Sequence, residues 1–256
     1  MKETQIENIL RLAKRAGEEI IKIYQSQFEV TIKSDSSPLT EADLLSNKIL
    51  TEGLKKYFPD IPILAEESRL IPYAERKEWN YFWLVDPLDG TKEFIKKNGE
   101  FTINIALVDK MEPFFGIIYS PVKETAWFNI PKRGIFKKVS DGITHKIIPD
   151  IQREPGQVIL IGSRSHGREE LQAFTDSMKD KYDKVDLISA GSALKFCLLV
   201  EGQADIYPRF TPTMEWDTAA GHALIRESGK EIYIMDSGEI LTYNKENLKN
   251  PFFIVR

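Results

Sequence analysis

One stretch limits the folds open to this chain more than any other: Trp83-Leu84-Val85-Asp86-Pro87-Leu88-Asp89-Gly90-Thr91-Lys92-Glu93-Phe94. The apolar run from Tyr81 to Val85 has strand character and ends abruptly in Asp86-Pro87. Pro87 fixes its own φ and disfavours helix at Asp86, while Gly90 permits a tight or left-handed backbone. Beyond Thr91 the composition turns helical as far as Asn98-Gly99, a C-cap signal. A buried strand that ends in acids, turns sharply and feeds a helix can hold cations on its carboxylates and an anion on the N–H groups of the helix start. Asp, Pro and Gly are also ordinary turn formers, and alone the stretch reads more readily as a surface turn. The rest of the chain decides between the two.

Amphipathic periodicity comes first. Ile6, Ile9, Leu10, Ala13, Ala16, Ile20, Ile21 and Tyr24 recur at three- and four-residue steps and predict a helix. The spacing then predicts a strand over 28–33, a loop over 34–38 and a second helix that starts at Thr40 and is closed by Pro59. Asp43 stands at the capping-box position of that helix, which explains it structurally and leaves a role in chemistry open. Ile61 to Ala65 reads as a short strand leading into Glu66-Glu67, an acid pair that is either a solvated face or a second carboxylate station. Residues 69–80 read as a polar, mobile connector. From Phe101 to Ile148 alternating runs and turn signals predict an antiparallel meander. The polar, two-proline segment 149–156 is the expected boundary between residues 1–150 and 151–256. After it strands and helices alternate, with a helix over Ser192–Glu201 and another starting at Asp217, so the fold class expected is α/β, a sheet covered by helices.

Several function classes are disfavoured by composition. A net charge of −4 offers no surface for nucleic acid, and an acidic protein that binds anions needs metal ions or a few local cations. No apolar run approaches a membrane span, and Met1-Lys2-Glu3-Thr4 carries no secretory core, so a cytoplasmic protein is expected. The single Cys197 rules out a disulfide within the chain, and one Cys with scattered His145, His166 and His222 matches no zinc spacing. The oxygen-rich alternative is better supplied. Asp43, Glu66-Glu67, Asp86 with Asp89, and Asp217 sit where strands end or helices begin, as a hard cation such as Mg²⁺ requires. Two such ions about 3.5–4 Å apart can share one carboxylate. Asp217 is also a plausible N-cap, and that reading stays open beside the ligand role.

Three motifs in order now become recognisable: Ala65-Glu66-Glu67-Ser68, Asp86-Pro87-Leu88-Asp89-Gly90-Thr91, and Glu215-Trp216-Asp217-Thr218-Ala219-Ala220-Gly221-His222. With them the chain resembles the inositol monophosphatase superfamily of Mg²⁺-dependent, lithium-sensitive phosphatases, from its first helix to its last. Ser163-Arg164-Ser165-His166, Gly191-Ser192-Ala193-Leu194-Lys195-Phe196-Cys197 and Tyr207-Pro208-Arg209 are similar to the 3′(2′),5′-bisphosphate nucleotidase branch of the CysQ type.

The resemblance implies a layered α-β-α-β-α sandwich and a phosphomonoesterase that takes the 3′-phosphate from adenosine 3′,5′-bisphosphate, leaving AMP. It implies two or three Mg²⁺ ions: Glu66, Asp86 and the Leu88 carbonyl on one, Asp86, Asp89 and Asp217 on a second, with Glu67 or Asp43 assisting a third. Asp43, Thr91 and Glu66 would be the catalytic residues, Thr91 and Asp43 orienting or deprotonating the attacking water. Gly90 and Thr91 would bind phosphate oxygens, and His166, Ser192, Lys195 and Arg209 the nucleotide. Without the resemblance, Lys195 reads as a snorkelling helix lysine. Inositol monophosphate or fructose 1,6-bisphosphate is the alternative substrate, and a non-catalytic nucleotide or metal sensor the remaining one. No nucleic-acid or integral membrane partner is implied, and the chain would be a monomer or homodimer. Departures at Ala65, Ala193 and Phe210-Thr211-Pro212-Thr213 touch no expected metal ligand.

Overall fold

A computed structural model of the protein describes residues 1–33, 38–163 and 167–256. The expected apolar stripe builds α1 (Glu3–Gln25), which buries Ile6, Ile9, Leu10, Ala13, Ala16 and Ile20. β1 (Val30–Ile32) and β2 (Pro38–Thr40) pair antiparallel as a short ribbon, β1 exposed and shorter than the strand expected over 28–33, β2 running into the buried Thr40. α2 (Glu41–Tyr57) starts where predicted, because Asp43 Oδ2 accepts the Thr40 backbone N–H at 2.8 Å and its hydroxyl at 2.6 Å.

The central sheet follows. β3 (Ile63–Ala65), α3 (Tyr73–Arg76), β4 (Tyr81–Asp89), α4 (Thr91–Ile95), β5 (Thr102–Asp109), β6 (Glu112–Ser120), β7 (Thr125–Ile130), β8 (Gly134–Lys138) and β9 (Thr144–Lys146) run in chain order. Their seven strands form one sheet in the order β3 to β9. Only β3 and β4 are parallel, and the expected antiparallel meander takes up the rest.

Three details differ from expectation. β4 does not stop at Asp86-Pro87. Its pairing jumps from Asp86↔Asn104 to Asp89↔Thr102, and the missing N–H of Pro87 falls inside that bulge, where the ladder has no use for it. α4 ends at Ile95 rather than near Asn98, because Lys97 and Gly99 both take the left-handed conformation. The segment 69–80 is anchored. Arg76 is buried, and its guanidinium donates to Asn244 Oδ1 at 2.9 Å and to the Glu246 carbonyl at 2.8 Å.

The remainder comprises β10 (Gln157–Ser163), α5 (Arg168–Met178), β11 (Lys184–Ala190), α6 (Leu194–Val200), β12 (Tyr207–Arg209), β13 (Thr213–Met214), α7 (Glu215–Glu227), β14 (Ile232–Ile234), β15 (Lys249–Asn250) and β16 (Phe253–Val255). β10 pairs parallel with β11, β16 lies antiparallel between β12 and β14, and β13 pairs with β15. Alternation along β4 sends Trp83 and Val85 toward α1 and α2, and Phe82 and Leu84 toward α6, α7 and the smaller sheets. Close approach of α7 to the sheet depends on Gly116, where an added Cβ would meet the Ala220 carbonyl oxygen at 2.3 Å. α5 closes the far side, packing its Met178 with Val158 and Leu160 of β10. The order of layers is α-β-α-β-α, as the motifs implied. His222 and Cys197 are buried, His145 is exposed, and no described helix is long and apolar enough to cross a membrane.

Candidate active site

Asp86 and Asp89 on the bulged end of β4 meet Asp217 from the first turn of α7. One carboxylate oxygen of each lies within 4.8 Å of the others. The bulge brings the first two together, and it is held from outside by Ser46 of α2, whose hydroxyl donates to the Pro87 carbonyl at 2.7 Å. Asp86 Oδ1 accepts the Leu88 N–H at 3.0 Å. Asp217 is not the N-cap: α7 starts at Glu215 with Met214 as its cap, and Asp217, third in the helix, accepts the Met214 N–H on Oδ2 at 2.8 Å, a capping-box contact that leaves it in the cluster. Asp89 Oδ2 accepts from the Ser192 hydroxyl and the Ala193 N–H, both at 2.7 Å, and from Asn104 at 3.3 Å.

Such a cluster costs free energy without a cation. Burial, then the charges of Glu66, Asp89 and Asp217, pushes the Asp86 carboxyl well above its ordinary range. Burial, then Asp89 and Glu66, pushes Asp217 up to about 8. Closely grouped carboxylate oxygens, those of Asp86 buried and those of Asp89 and Asp217 half-buried, are the donor set a hard divalent cation fits.

Glu66 and Glu67 follow β3 and stand beside the three-acid group rather than within it. Both accept from the Lys33 ammonium, Glu66 Oε1 at 2.9 Å. Burial alone would lower the Lys33 pKa, but Glu67 and Glu66 together override it and raise it. Lys33 was missed at the sequence level, where it reads only as the polar end of an alternating run. Asp43 has its second oxygen, Oδ1, 3.0 Å from the Thr91 hydroxyl, so the capping residue is also paired with a residue of the turn. Burial outweighs the hydrogen bonds from Thr40 and Thr91 and raises the Asp43 pKa.

Gly90 takes φ +93°, and a Cβ there would also press on the Glu100 carbonyl at 3.2 Å and on Ser192 at 3.3 Å. Five residues make too short a helix to stand alone. α4 is held by Phe94, whose ring lies 5.1 Å from that of Tyr24 and 5.2 Å from that of Phe101. That packing fixes the turn presenting Thr91.

The cavity that holds these acids also holds cations. Gly90, Thr91, Glu66, Asp89 and Asp217 share a cavity of about 480 Å³ with Ser163, Ser192, Lys195, Tyr207, Arg209 and Thr213. The Lys195 ammonium donates to the Ser192 carbonyl at 2.5 Å and the Ala190 carbonyl at 3.2 Å, with the Tyr207 ring at 5.6 Å. Burial, then the neighbouring Arg209, lowers its pKa to about 8. Arg209 is tethered by Nε to the Thr211 carbonyl at 3.2 Å. Ser192, expected on the nucleotide, reaches the cavity wall, but its hydroxyl lies on Asp89 and 2.6 Å from Thr102 Oγ1. His166 lies outside the described residues. Thr102 and Asn104, which line up behind Asp89, had no sequence signal beyond strand alternation.

The profile of the inositol monophosphatase family matches residues 2–253. The 3′(2′),5′-bisphosphate nucleotidase CysQ of Salmonella typhimurium is 41% identical over 253 residues, 98% of each chain. The crystal structure of CysQ from Bacteroides thetaiotaomicron superposes with a TM-score of 0.84 at 41% identity, covering 99% of this chain and 97% of that one. An IMPase from Thermotoga maritima shares the fold, with a TM-score of 0.77 at 19% identity over 98% of this chain and 91% of that one. The chain belongs to the inositol monophosphatase family.

Proposed function

We propose that this protein is a Mg²⁺-dependent phosphomonoesterase that hydrolyses the 3′-phosphate of adenosine 3′,5′-bisphosphate to AMP and phosphate. The observation that carries the reading is a single cavity lined both by Glu66, Asp89 and Asp217 and by Lys195 and Arg209. A substrate with two phosphates has one to be cleaved against the acids and one to be held by the cations. The full-length likeness to bisphosphate nucleotidases supports that choice over inositol phosphates.

Asp86, Asp89, Asp217 and the Leu88 carbonyl would hold Mg²⁺, with Glu66 and, less directly, Glu67 at a further site. Bound Mg²⁺ would supply neutralising charge for the phosphoryl oxygens and make nearby water more acidic. The chain does the rest. The Thr91 hydroxyl lies against Asp43 Oδ1, so the pair can accept the proton of a water attacking phosphorus. Water forms the new P–O bond in line as the bond from phosphorus to the 3′-ester oxygen breaks, and that oxygen takes a proton from solvent to leave as the 3′-hydroxyl of AMP. N–H groups at Gly90 and Thr91 would receive the phosphate oxygens. Lys195 and Arg209 would anchor the 5′-phosphate, with Ser192 and His166 beside the nucleoside. In this reading residues 1–150 carry out phosphate chemistry, and 151–256 supply Asp217 and nucleotide recognition. Hydrolysis in ¹⁸O-water tests the step. The label should enter inorganic phosphate and leave AMP unlabelled, and labelled AMP would contradict attack at phosphorus.

A further inference from the structure

We propose that Asn250 is a positioning residue for Asp217, resting on the reading of Asp217 as a metal ligand. Asp217 lies in the first turn of a helix, where backbone groups lack intrahelical partners and the chain frays most readily. Something must hold that turn against the repulsion between its carboxylate and those of Asp86 and Asp89. Asn250, buried at 3% exposure, grips it on both sides. Its amide Nδ2 donates to the Met214 carbonyl at 2.9 Å, before Asp217, and to Thr218 Oγ1 at 3.0 Å, after it. Thr213 Oγ1 is a third acceptor at 3.2 Å. Met214 in turn donates its own N–H to Asp217 Oδ2, so the residue that Asn250 holds also orients the carboxylate.

The other end of the amide is fixed as well. Lys245 Nζ donates to Asn250 Oδ1 at 3.2 Å and to Glu215 Oε1 at 2.7 Å. Fully buried Glu215 accepts the N–H groups of Asn244 at 2.6 Å and Lys245 at 2.9 Å. The Glu215 N–H bonds to the Leu248 carbonyl at 2.9 Å, and β13 pairs with β15. A buried polar network in which these groups are matched has one low-energy arrangement and is stiff. It ties the segment 244–250 to the start of α7, and Asn250 is its contact on either side of Asp217.

The test is direct titration with Mn²⁺, followed by the electron paramagnetic resonance signal of the free ion, well below the melting temperature. Groups that orient metal ligands change affinity by about 10–100-fold when removed. Asn250→Ala should bind Mn²⁺ about tenfold more weakly. Asn250→Asp keeps the shape and the Lys245 contact but turns the donor into an acceptor, and should weaken binding at least as much. It also stands in if the alanine variant does not fold. Arg153→Met, which breaks the ion pair of Arg153 with Asp205 away from the site, is the stability control. It should lower the melting temperature without changing Mn²⁺ affinity. Unchanged affinity in a folded Asn250 variant overturns the proposal, as does equal weakening in the control. Asp217→Asn separates the two levels of the argument. Wild-type Mn²⁺ affinity there removes the metal reading itself, whereas lost affinity there with normal affinity in Asn250→Ala removes only the positioning role.

Discussion

The acids and the cations of the site are built in opposite ways, and can be called its acid wall and its basic wall. Asp86 and Asp89 come from one strand end and are shaped by local devices: a proline in a bulge and a glycine at positive φ. Lys195 and Arg209 come from a helix and a separate strand, and each is oriented by carbonyl oxygens near it in the chain. The acid wall is self-repelling and calls for cations, and the basic wall is held open for anions. Chemistry that every family member shares can sit on the first, while choice of substrate sits on the second. Substitutions on the two walls should therefore fail differently.

The largest effect is expected on the acid wall. Asp86→Asn or Asp217→Asn should lower phosphate release by at least about a thousandfold, since charge stabilisation by the ions is lost. The fold should persist, with metal-free melting at or above wild type because a repelling charge is gone. Retained turnover in either variant would break the comparison.

On the basic wall, Lys195→Ala should leave chemistry on a small phosphomonoester nearly intact. It should raise KM for the bisphosphate about tenfold or more, the scale of a lost charge-assisted hydrogen bond. Equal changes with both substrates would remove the assignment of Lys195 to the nucleotide.

The smallest effect, on stability, sharpens the comparison through pH. Asp217 has its folded pKa raised to about 8, and Asp86 and Glu66 are raised too. Between the ordinary carboxyl range and pH 8 the folded, metal-free protein binds more protons than the unfolded chain, so stability falls as pH rises. Melting in EDTA should drop by several degrees from pH 5 to pH 8, and saturating Mg²⁺ should flatten the trend. A melting temperature independent of pH in EDTA would show that the acids do not repel as described.

How much of this was legible in the sequence follows the same division. The carboxylates were readable because each sits beside a local signal: Pro87 and Gly90 for the turn, Thr40 for the cap. Even so, β4 continues through Asp86-Pro87, since a bulge depends on the neighbouring strand's register and leaves no mark in its own. Lys195 was readable only by resemblance, for an isolated lysine in an apolar helix has the same pattern whether it snorkels or faces a cavity. Lys33, Arg76 and Asn250 were not legible at all. Their partners lie far along the chain, and only the assembled sheet and helices bring Arg76 to Asn244 or Asn250 to Thr218. Ser192 shows the remaining limit: the resemblance implies a contact with the nucleotide, but nothing in the sequence signals the use of its hydroxyl on Asp89.

The most direct test compares phosphate release from adenosine 3′,5′-bisphosphate and from inositol 1-phosphate, each with Mg²⁺ and with EDTA. Release from the bisphosphate is expected with a kcat/KM at least about a hundredfold above that for inositol 1-phosphate, and none in EDTA. Equal or greater activity on inositol 1-phosphate, or release that survives EDTA, would contradict it.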